Sequence, residues 1–253
     1  MKIISQNSRV RNHSFNEITS IIFETDGFVA VNKPAGMLSI PDRYDETATS
    51  LYKILEERYQ KIFIIHRLDR ETSGIILFAK DEATHKYLSQ LFENRKIEKF
   101  YLGIIRGSLQ NKKGTIDEPI IEHPANKGIM VINKKGKPSV TDYEVIDDFG
   151  LFSLVKFQIH SGRTHQIRVH MKHLGHPIAC DDVYGNPQPI LLSSFKKKYK
   201  LSKHDEEERP ILNRLALHSH QLKFTGISGI PYDLKAELPK DMEILLKQLK
   251  KYR

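Results

Sequence analysis

The chain has 253 residues and a formal net charge of +9, with 40 Lys and Arg against 31 Asp and Glu. This surplus of cations favours a polyanionic partner, because Lys and Arg neutralise phosphates and release the counterions bound to them. The single cysteine, Cys180, excludes an internal disulfide and a cysteine-rich metal site.

Residues 1–18 are polar and lack the apolar core of a secretion signal. No later run approaches the ~18 apolar residues of a membrane span. The sequence therefore predicts a cytoplasmic protein with no membrane partner, in which a polar leader over residues 1–18 precedes the folded part.

The folded part begins with a hairpin over SIIFETDGFVAVNK, residues 20–33, which turns at Asp26-Gly27. Apolar residues at helical spacing predict a helix over ATSLYKILEERYQ and a second one over DEATHKYLSQLFENRK, capped by Asp81. Further β-rich runs follow, among them EKFYLGIIRG, VTDYEVI and LFSLVKFQI. The pattern predicts an α+β fold: a mixed, mainly antiparallel central sheet with flanking helices on one face.

The stretch HRLDRETSG, His66 to Gly74, places five ionisable residues between the apolar runs KIFII and IILFAK. Such runs are typical of buried strands, so the cluster is predicted to be a loop held by the core. Asp69 lies between two arginines, which favours its ionised form. That carboxylate is a candidate nucleophile or base, although an ordinary loop salt bridge explains the same residues equally well.

A second constellation lies in SGRTHQIRVHMKHLGHP. Thr164 is a candidate cap for a helix with an apolar stripe, and Gly175 can end that helix in a left-handed conformation. Arg168 falls at the edge of the stripe, where it could reach a buried carboxylate or remain on the surface. The five histidines from His160 to His176 lack the spacing of a zinc helix, so we expect them to bond backbone groups or phosphates rather than a metal.

HRLDRETSGIILFAK resembles the signature of the RluA-type pseudouridine synthases. The motifs NKPAG, KFYLGIIRG, SGRTHQIRVHMKHLGHPI and DDVYG also follow the order and spacing of that family. The resemblance implies the pseudouridine synthase catalytic fold, as a single domain over residues 19–253. Some members of the family add a small N-terminal accessory RNA-binding domain, which we expect to be absent here.

The implied activity is that of an isomerase, an RNA pseudouridine synthase. It would convert specific uridines of structured ribosomal or transfer RNA, such as a stem-loop, to pseudouridine. The implied reaction needs no cofactor and no metal. We expect the protein to act as a monomer.

The resemblance also implies roles for individual residues. Asp69 corresponds to the catalytic aspartate, and Arg168 corresponds to the arginine that pairs with it. Tyr101, in the K-x-Y pattern, is expected to lie against the target base, although a strand tyrosine is more often simply half-buried. Arg67 is expected to assist base flipping.

Two further cations, Arg163 and Lys33, are candidates for contacts to RNA phosphates. Three other classes of protein fit part of the pattern. A passive RNA-binding protein would share the charge without needing Asp69. A glycosidic hydrolase would need a second carboxylate near Asp69, for which Glu71 is close in sequence. A zinc hydrolase would need a metal.

Overall fold

The computed structural model describes residues 20–42, 45, 47–201 and 206–253. The predicted leader over residues 1–18 lies outside these residues. The described strands are β1 Ser20–Glu24, β2 Phe28–Lys33, β3 Phe63–Ile64, β4 Ser73–Ala79, β5 Glu98–Arg106, β6 Lys113–Asp117, β7 Ile120–Glu122, β8 Met130–Ile132, β9 Val140–Asp148, β10 Phe152–Ile159, β11 Leu217–Thr225 and β12 Pro231–Lys235. The described helices are α1 Leu51–Tyr59, α2 Glu82–Glu93, α3 Gln166–His173 and α4 Lys240–Lys251.

Ten of these strands form one mixed sheet in the order β1-β2-β4-β11-β5-β10-β9-β6, with β12 on β11 and β3 on β4. Among the described strands, β4 and β11 make the only parallel pair, and every other pair is antiparallel. Strands β7 and β8 form a separate ribbon. The predicted α+β class and the hairpin of β1 and β2 are confirmed.

The predicted placement of the helices on one face of the sheet is wrong. Alternate residues of a strand point to opposite faces, and β2 is apolar on both. Val29 packs in a cluster with α1, whereas Phe28 packs in a cluster with α2. β4 behaves in the same way and is buried along its whole length. Because β2 and β4 present two apolar faces, this half of the sheet needs a helix on each side.

Side-chain caps fix the starts of α1 and α2. The Ser50 side chain accepts a hydrogen bond from the N–H of Lys53, and the Asp81 side chain accepts one from the N–H of Thr84. Each cap satisfies a donor that has no partner within its helix. The predicted cap at Asp81 is thus confirmed. Among the described residues, every helix is too short or too polar to span a bilayer.

The parallel pairing of β4 with β11 depends on a close backbone approach. Gly74 lies opposite Ser219 in the pairing and has a φ of 115°. A Cβ at Gly74 would lie 2.1 Å from the Ser219 carbonyl oxygen. Glycine is therefore required where the strand leaves the HRLD loop, which runs from Ile65 to Thr72 between β3 and β4.

Candidate active site

The HRLD loop is anchored to the core at its start. The His66 ring stacks on Phe92 with a centroid separation of 4.3 Å, and its Nε2 accepts a hydrogen bond of 3.0 Å from the N–H of Leu77. Burial, aided by the charge of Lys99, lowers the pKa of His66 to about 3. His66 is therefore a neutral structural residue whose ring holds the loop against α2 and β4.

The middle of the loop is fixed by hydrogen bonds to the segment that follows β2. The Ser39 hydroxyl donates to the carbonyl of Leu68 at 2.8 Å and accepts from its N–H at 3.1 Å. Gly36 N–H donates to the Arg70 carbonyl at 2.9 Å, and Arg70 Nε donates to the Gly36 carbonyl at 3.0 Å. The two neighbours of Asp69 in the chain, Leu68 and Arg70, are thus both fixed by hydrogen bonds to the segment after β2.

The structure contradicts the predicted phosphate contact of Lys33. This side chain is fully buried, and its Nζ donates to the carbonyls of Pro34, Met37 and Arg70 at 3.0, 2.7 and 2.9 Å. Burial lowers the pKa of Lys33 to about 7. With all three ammonium donors used by backbone groups, Lys33 joins the NKPAG segment to the HRLD loop and cannot reach RNA.

The Asp69 side chain lies at the mouth of a cavity of about 80 Å³, with 23% of its surface exposed. We call this the Asp69 cavity. It is formed where the HRLD loop meets β5, β10 and the start of α3. Five of the six predicted site residues line it, and Lys33 does not: the five are Arg67, Asp69, Tyr101, Arg163 and Arg168.

Arg168 is buried in this cavity, but its direct partner is not the predicted one. Its Nε and Nη2 donate to the two carboxylate oxygens of Asp181 at 2.8 and 2.7 Å, and Nη2 also donates to Asp182 at 3.2 Å. Within the described part of the chain, Asp69 is not among its hydrogen-bond or ion-pair partners. The prediction of a direct pair between Arg168 and Asp69 is therefore wrong.

The Asp181 carboxylate fixes the position of the Arg168 guanidinium, because it is buried, ionised and bonded to two of the guanidinium nitrogens. Burial alone would raise the pKa of Asp181, but the bonds from Arg168 and from the N–H groups of Val183 and Tyr184 lower it overall. The Arg168 guanidinium also lies 5.1 Å above the Tyr184 ring. Arg168 is thus a fixed cation beside the cavity, and its positive charge acts on Asp69 across space.

His165 is a member of the site that the sequence did not single out. Its backbone is left-handed, with a φ of 56°, at the residue before α3. This conformation turns the ring inward, so that Nε2 lies 3.9 Å from Asp69 Oδ2. The predicted Thr164 cap is replaced by this turn, whereas Gly175 ends the helix at a φ of 79°, as predicted.

The hydrogen bonds of His165 indicate which ring nitrogen carries the proton. Tyr184 Oη accepts from the N–H of Met130 at 2.8 Å and lies 2.8 Å from His165 Nδ1. If the Tyr184 hydroxyl proton goes to Nδ1, the histidine proton sits on Nε2, facing Asp69. Burial is the main cause that lowers the pKa of His165, against the opposing charge of Asp69. The neutral ring can then donate toward the carboxylate.

Tyr101 lies on β5, in the wall of the cavity. Burial and the charge of Asp69 raise the pKa of its phenol. The phenol is therefore neutral and can present both a ring face and a hydroxyl. Among the described residues that line the cavity, Asp69 is the one carboxylate, and Glu71 is not in the wall. The paired carboxylates that a glycosidic hydrolase needs are not found here.

Four of the five histidines from His160 to His176, which we expected to bond backbone groups or phosphates, have separate partners. His170 bonds Thr141 and the Glu118 carbonyl at 2.9 and 3.0 Å, and His176 bonds the Arg106 carbonyl at 3.0 Å. These two are structural, in agreement with the predicted backbone contacts. Over the described ranges, no three His, Cys, Asp or Glu side chains lie together in a way that could hold a metal ion.

Comparison with known proteins defines the class of this site. The family model described as RNA pseudouridylate synthase matches residues 27–173. The chain is 35% identical over 246 residues to an RNA pseudouridine synthase of Chlorobaculum parvum, covering 91% of this chain and 74% of that one. It is 33% identical over 257 residues to ribosomal large subunit pseudouridine synthase D of Nitrosomonas europaea, covering 98% and 70%.

The fold agrees with these matches. The structure of human RNA pseudouridylate synthase domain containing 4 superposes with a TM-score of 0.69 over 91% of this chain and 92% of that one, at 24% identity. The chain is also 35% identical over 212 residues to dual-specificity RNA pseudouridine synthase RluA of Vibrio parahaemolyticus, covering 81% of this chain and 77% of that one. It belongs to the RNA pseudouridylate synthase family, in its RluA-type branch. It is an RNA pseudouridine synthase, an isomerase whose substrate is RNA.

Proposed function

We propose that this enzyme isomerises one or a few uridines of large-subunit ribosomal RNA, with Asp69 as the catalytic carboxylate. The observation that carries the proposal is the isolation of Asp69 as the one carboxylate in a cavity walled by Arg67, Arg163 and Arg168. A polyanion is drawn to such a wall, and the carboxylate is what a merely passive RNA-binding surface would avoid. Ribosomal RNA is favoured by the Nitrosomonas europaea relative, which matches 98% of this chain.

The reaction rearranges bonds without adding or removing atoms. The bond from N1 of uracil to the anomeric carbon of ribose breaks, the base turns, and its C5 bonds to the same carbon. The proton displaced from C5 is balanced by a proton taken up at N1. Asp69 either adds to the anomeric carbon or removes a ribose proton, and either step needs an ionised carboxylate beside the sugar.

The other residues of the cavity support this step. Tyr101 offers its ring face to the base while its phenol stays neutral. Arg168, held by Asp181, keeps a cation near Asp69 at every stage. His165 can donate from Nε2 toward Asp69 and so stabilise its charged form.

The target uridine must leave its base stack to enter the cavity, at a cost of a few kcal/mol. We assign to Arg67 the role of filling the gap, because this exposed residue lies at the cavity wall and a flat guanidinium stacks on bases. Arg163, half-buried in the same wall, is assigned to a phosphate. The enzyme proposed here is a monomer of one catalytic domain that acts in the cytoplasm without a cofactor.

Pseudouridine mapping of total RNA tests this proposal. Cells lacking the gene are complemented with wild type or with Asp69→Asn. We expect one or a few large-subunit uridines to lose modification and to regain it with wild type alone. If modification is lost at a transfer RNA site instead, the substrate is transfer RNA and the assignment to ribosomal RNA is wrong. Recovery with Asp69→Asn would overturn the role of Asp69, and no change at any site would favour a passive binder.

A further inference from the structure

A second and larger cavity adjoins the first. It has a volume of about 400 Å³ and shares the residues Arg67, Tyr101 and Arg163 with the Asp69 cavity. Its far side is formed by the end of α2 and the start of β5, with Arg95 and Lys99. We call it the Lys99 cavity. The two cavities are therefore neighbours, and the shared residues can contact ligand groups in either one.

Lys99 is an unusual side chain for such a position. It lies two residues before Tyr101 on β5, so both side chains point to the same face of the sheet. Only 7% of its surface is exposed. Its ammonium lies 5.9 Å from the ring centroid of Phe92, but among the described residues it has no hydrogen-bond acceptor and no carboxylate partner.

Burying most of a lysine side chain without a counter-charge is costly, because the ammonium loses part of its hydration and, among the described residues, no acceptor replaces it. Burial and the nearby charge of Arg95 lower the pKa of Lys99. The lowered pKa and the cost of burying the ammonium have the same cause, because both disfavour the charged form of the lysine. Such a cost is expected where a ligand supplies the missing negative charge. The Lys99 ammonium, which lines the cavity, is therefore available to an anion that enters it.

The remaining charges of the cavity show what kind of ligand fits. Four cations line it, Arg67, Arg95, Lys99 and Arg163, against one acid, Glu93. The carbonyls at the end of α2 do not compete for the cations, because Asn94, Arg95 and Lys96 cap them through their N–H groups. A compact anion that can accept hydrogen bonds from two cationic side chains at once, such as a phosphate group, matches this lining.

We propose that Lys99 and Arg95 bind a backbone phosphate of the substrate RNA next to the target nucleotide. The inference rests on the proposed function, since it places the target uridine in the Asp69 cavity. The phosphate flanking that uridine then falls in the Lys99 cavity, where it supplies the counter-charge that Lys99 lacks. Binding of the correct strand thereby satisfies a buried cation and fixes the register of the RNA.

The first test compares Lys99→Met with Lys156→Met. Lys156 is a matched control: it is also a strand lysine with its ammonium above an aromatic ring, 4.7 Å from Phe100, but it lines a different cavity, which includes neither Asp69 nor Lys99. We expect Lys99→Met to weaken RNA binding about 10-fold and to lower the slope of log K against log salt by about 1. Lys156→Met should leave both unchanged.

Thermal unfolding without RNA checks that the change in binding is not a loss of fold. Among the described residues, Lys99 makes no hydrogen bond or ion pair that Lys99→Met would remove, and a methionine of similar length avoids the desolvation cost of the largely buried lysine. We therefore expect the Tm of Lys99→Met to equal or exceed that of wild type. A lower Tm would mean that the Lys99 charge stabilises the protein itself, and would overturn the inference.

A second test locates the phosphate. The RNA is made with one uncharged methylphosphonate at each position in turn around the modified uridine. One position should weaken wild-type binding about 10-fold and have no effect on Lys99→Met. If no position is coupled to Lys99, or if only inorganic phosphate binds there, the inference fails. Pseudouridine formation by wild type, measured in the same samples, reports separately on the proposed function.

Discussion

At the scale of single residues, the buried cation of the site, Arg168, is held by Asp181 and not by Asp69, the carboxylate to which we assign the chemistry. The sequence correctly placed Arg168 at the cavity but not its partner. Helical spacing indicates which face a residue occupies, whereas the partner is set by how the DDVYG segment folds back onto α3. Asp181 is fully buried and accepts from two guanidinium nitrogens, and over the described ranges Asp69 is not a direct partner of Arg168.

This arrangement predicts the cost of removing Arg168. Arg168→Met leaves the Asp181 carboxylate buried and unpaired, which costs about 3–5 kcal/mol of stability. The matched control is Arg214→Met, which breaks a bidentate pair with Asp241 that is partly exposed. We expect it to cost about 1 kcal/mol or less. Urea unfolding of both variants measures the difference, and equal losses would contradict the role given to Asp181.

Lys33 and His165 show where prediction from sequence stops at the residue scale. A lysine after a strand reads as a surface cation, yet Lys33 is buried because three loop carbonyls converge on its ammonium. His165 is one of five histidines from His160 to His176, and nothing in the sequence pattern separates it from the other four. Only its left-handed backbone, which the sequence does not reveal, turns it toward Asp69.

At the scale of elements, the first hairpin, α1, α2 and the loop before β4 could be predicted, because apolar period and capping residues are local signals. Helix α3 was also predicted but begins later than expected, since its start depends on the turn at His165. The two-sided cover of β2 and β4 was missed, although their unbroken apolar runs agree with burial on both faces. The parallel pairing of β4 with β11 joins residues far apart in the chain and could not be predicted.

The same pairing gives a prediction about Gly74. Gly74→Ala would place a methyl group against the Ser219 backbone in a left-handed conformation, so we expect a loss of several kcal/mol or failure to fold. Gly162→Ala is the control, because a Cβ there meets no atom within 4 Å. Thermal unfolding compares the two variants. A Tm near that of wild type for Gly74→Ala would show that β4 and β11 do not approach so closely.

At the scale of the whole molecule, stability should depend on buried neutral histidines. Burial is the main cause that lowers the pKa of His66 to about 3 and of His218 to about 4. The unfolded chain takes up protons at these groups near pH 6.5, whereas the folded protein does not. The unfolded state therefore binds more protons as the pH falls below about 6.5, and stability decreases.

Each of these histidines should remove about 1.4 kcal/mol of stability per pH unit between pH 6 and its folded pKa. Urea unfolding at pH 7, 6 and 5 measures the slope. His218→Gln should lower the slope of stability against pH by the contribution of one histidine, about 1.4 kcal/mol per pH unit. A slope that is the same in wild type and His218→Gln would contradict the neutral state assigned to His218.

The whole-molecule charge was the weakest predictor of function, since a net charge of +9 suits many binding proteins. What defines the function is the placement of one carboxylate among cations in a cavity built from the HRLD loop, β5 and α3. The sequence motifs identified the family, and the structure shows how these distant motifs meet at one point. The central claim is therefore that Asp69 performs the chemistry.

Single-turnover pseudouridine formation on saturating RNA tests that claim most directly, with Asp69→Asn compared with Glu71→Gln. Both variants remove one negative charge from the same loop, but the Glu71 side chain is not in the wall of the Asp69 cavity. We predict that Asp69→Asn loses more than about 100-fold in rate while it still binds RNA, and that Glu71→Gln reacts at nearly the wild-type rate. A rate for Asp69→Asn within a few-fold of wild type would contradict the account.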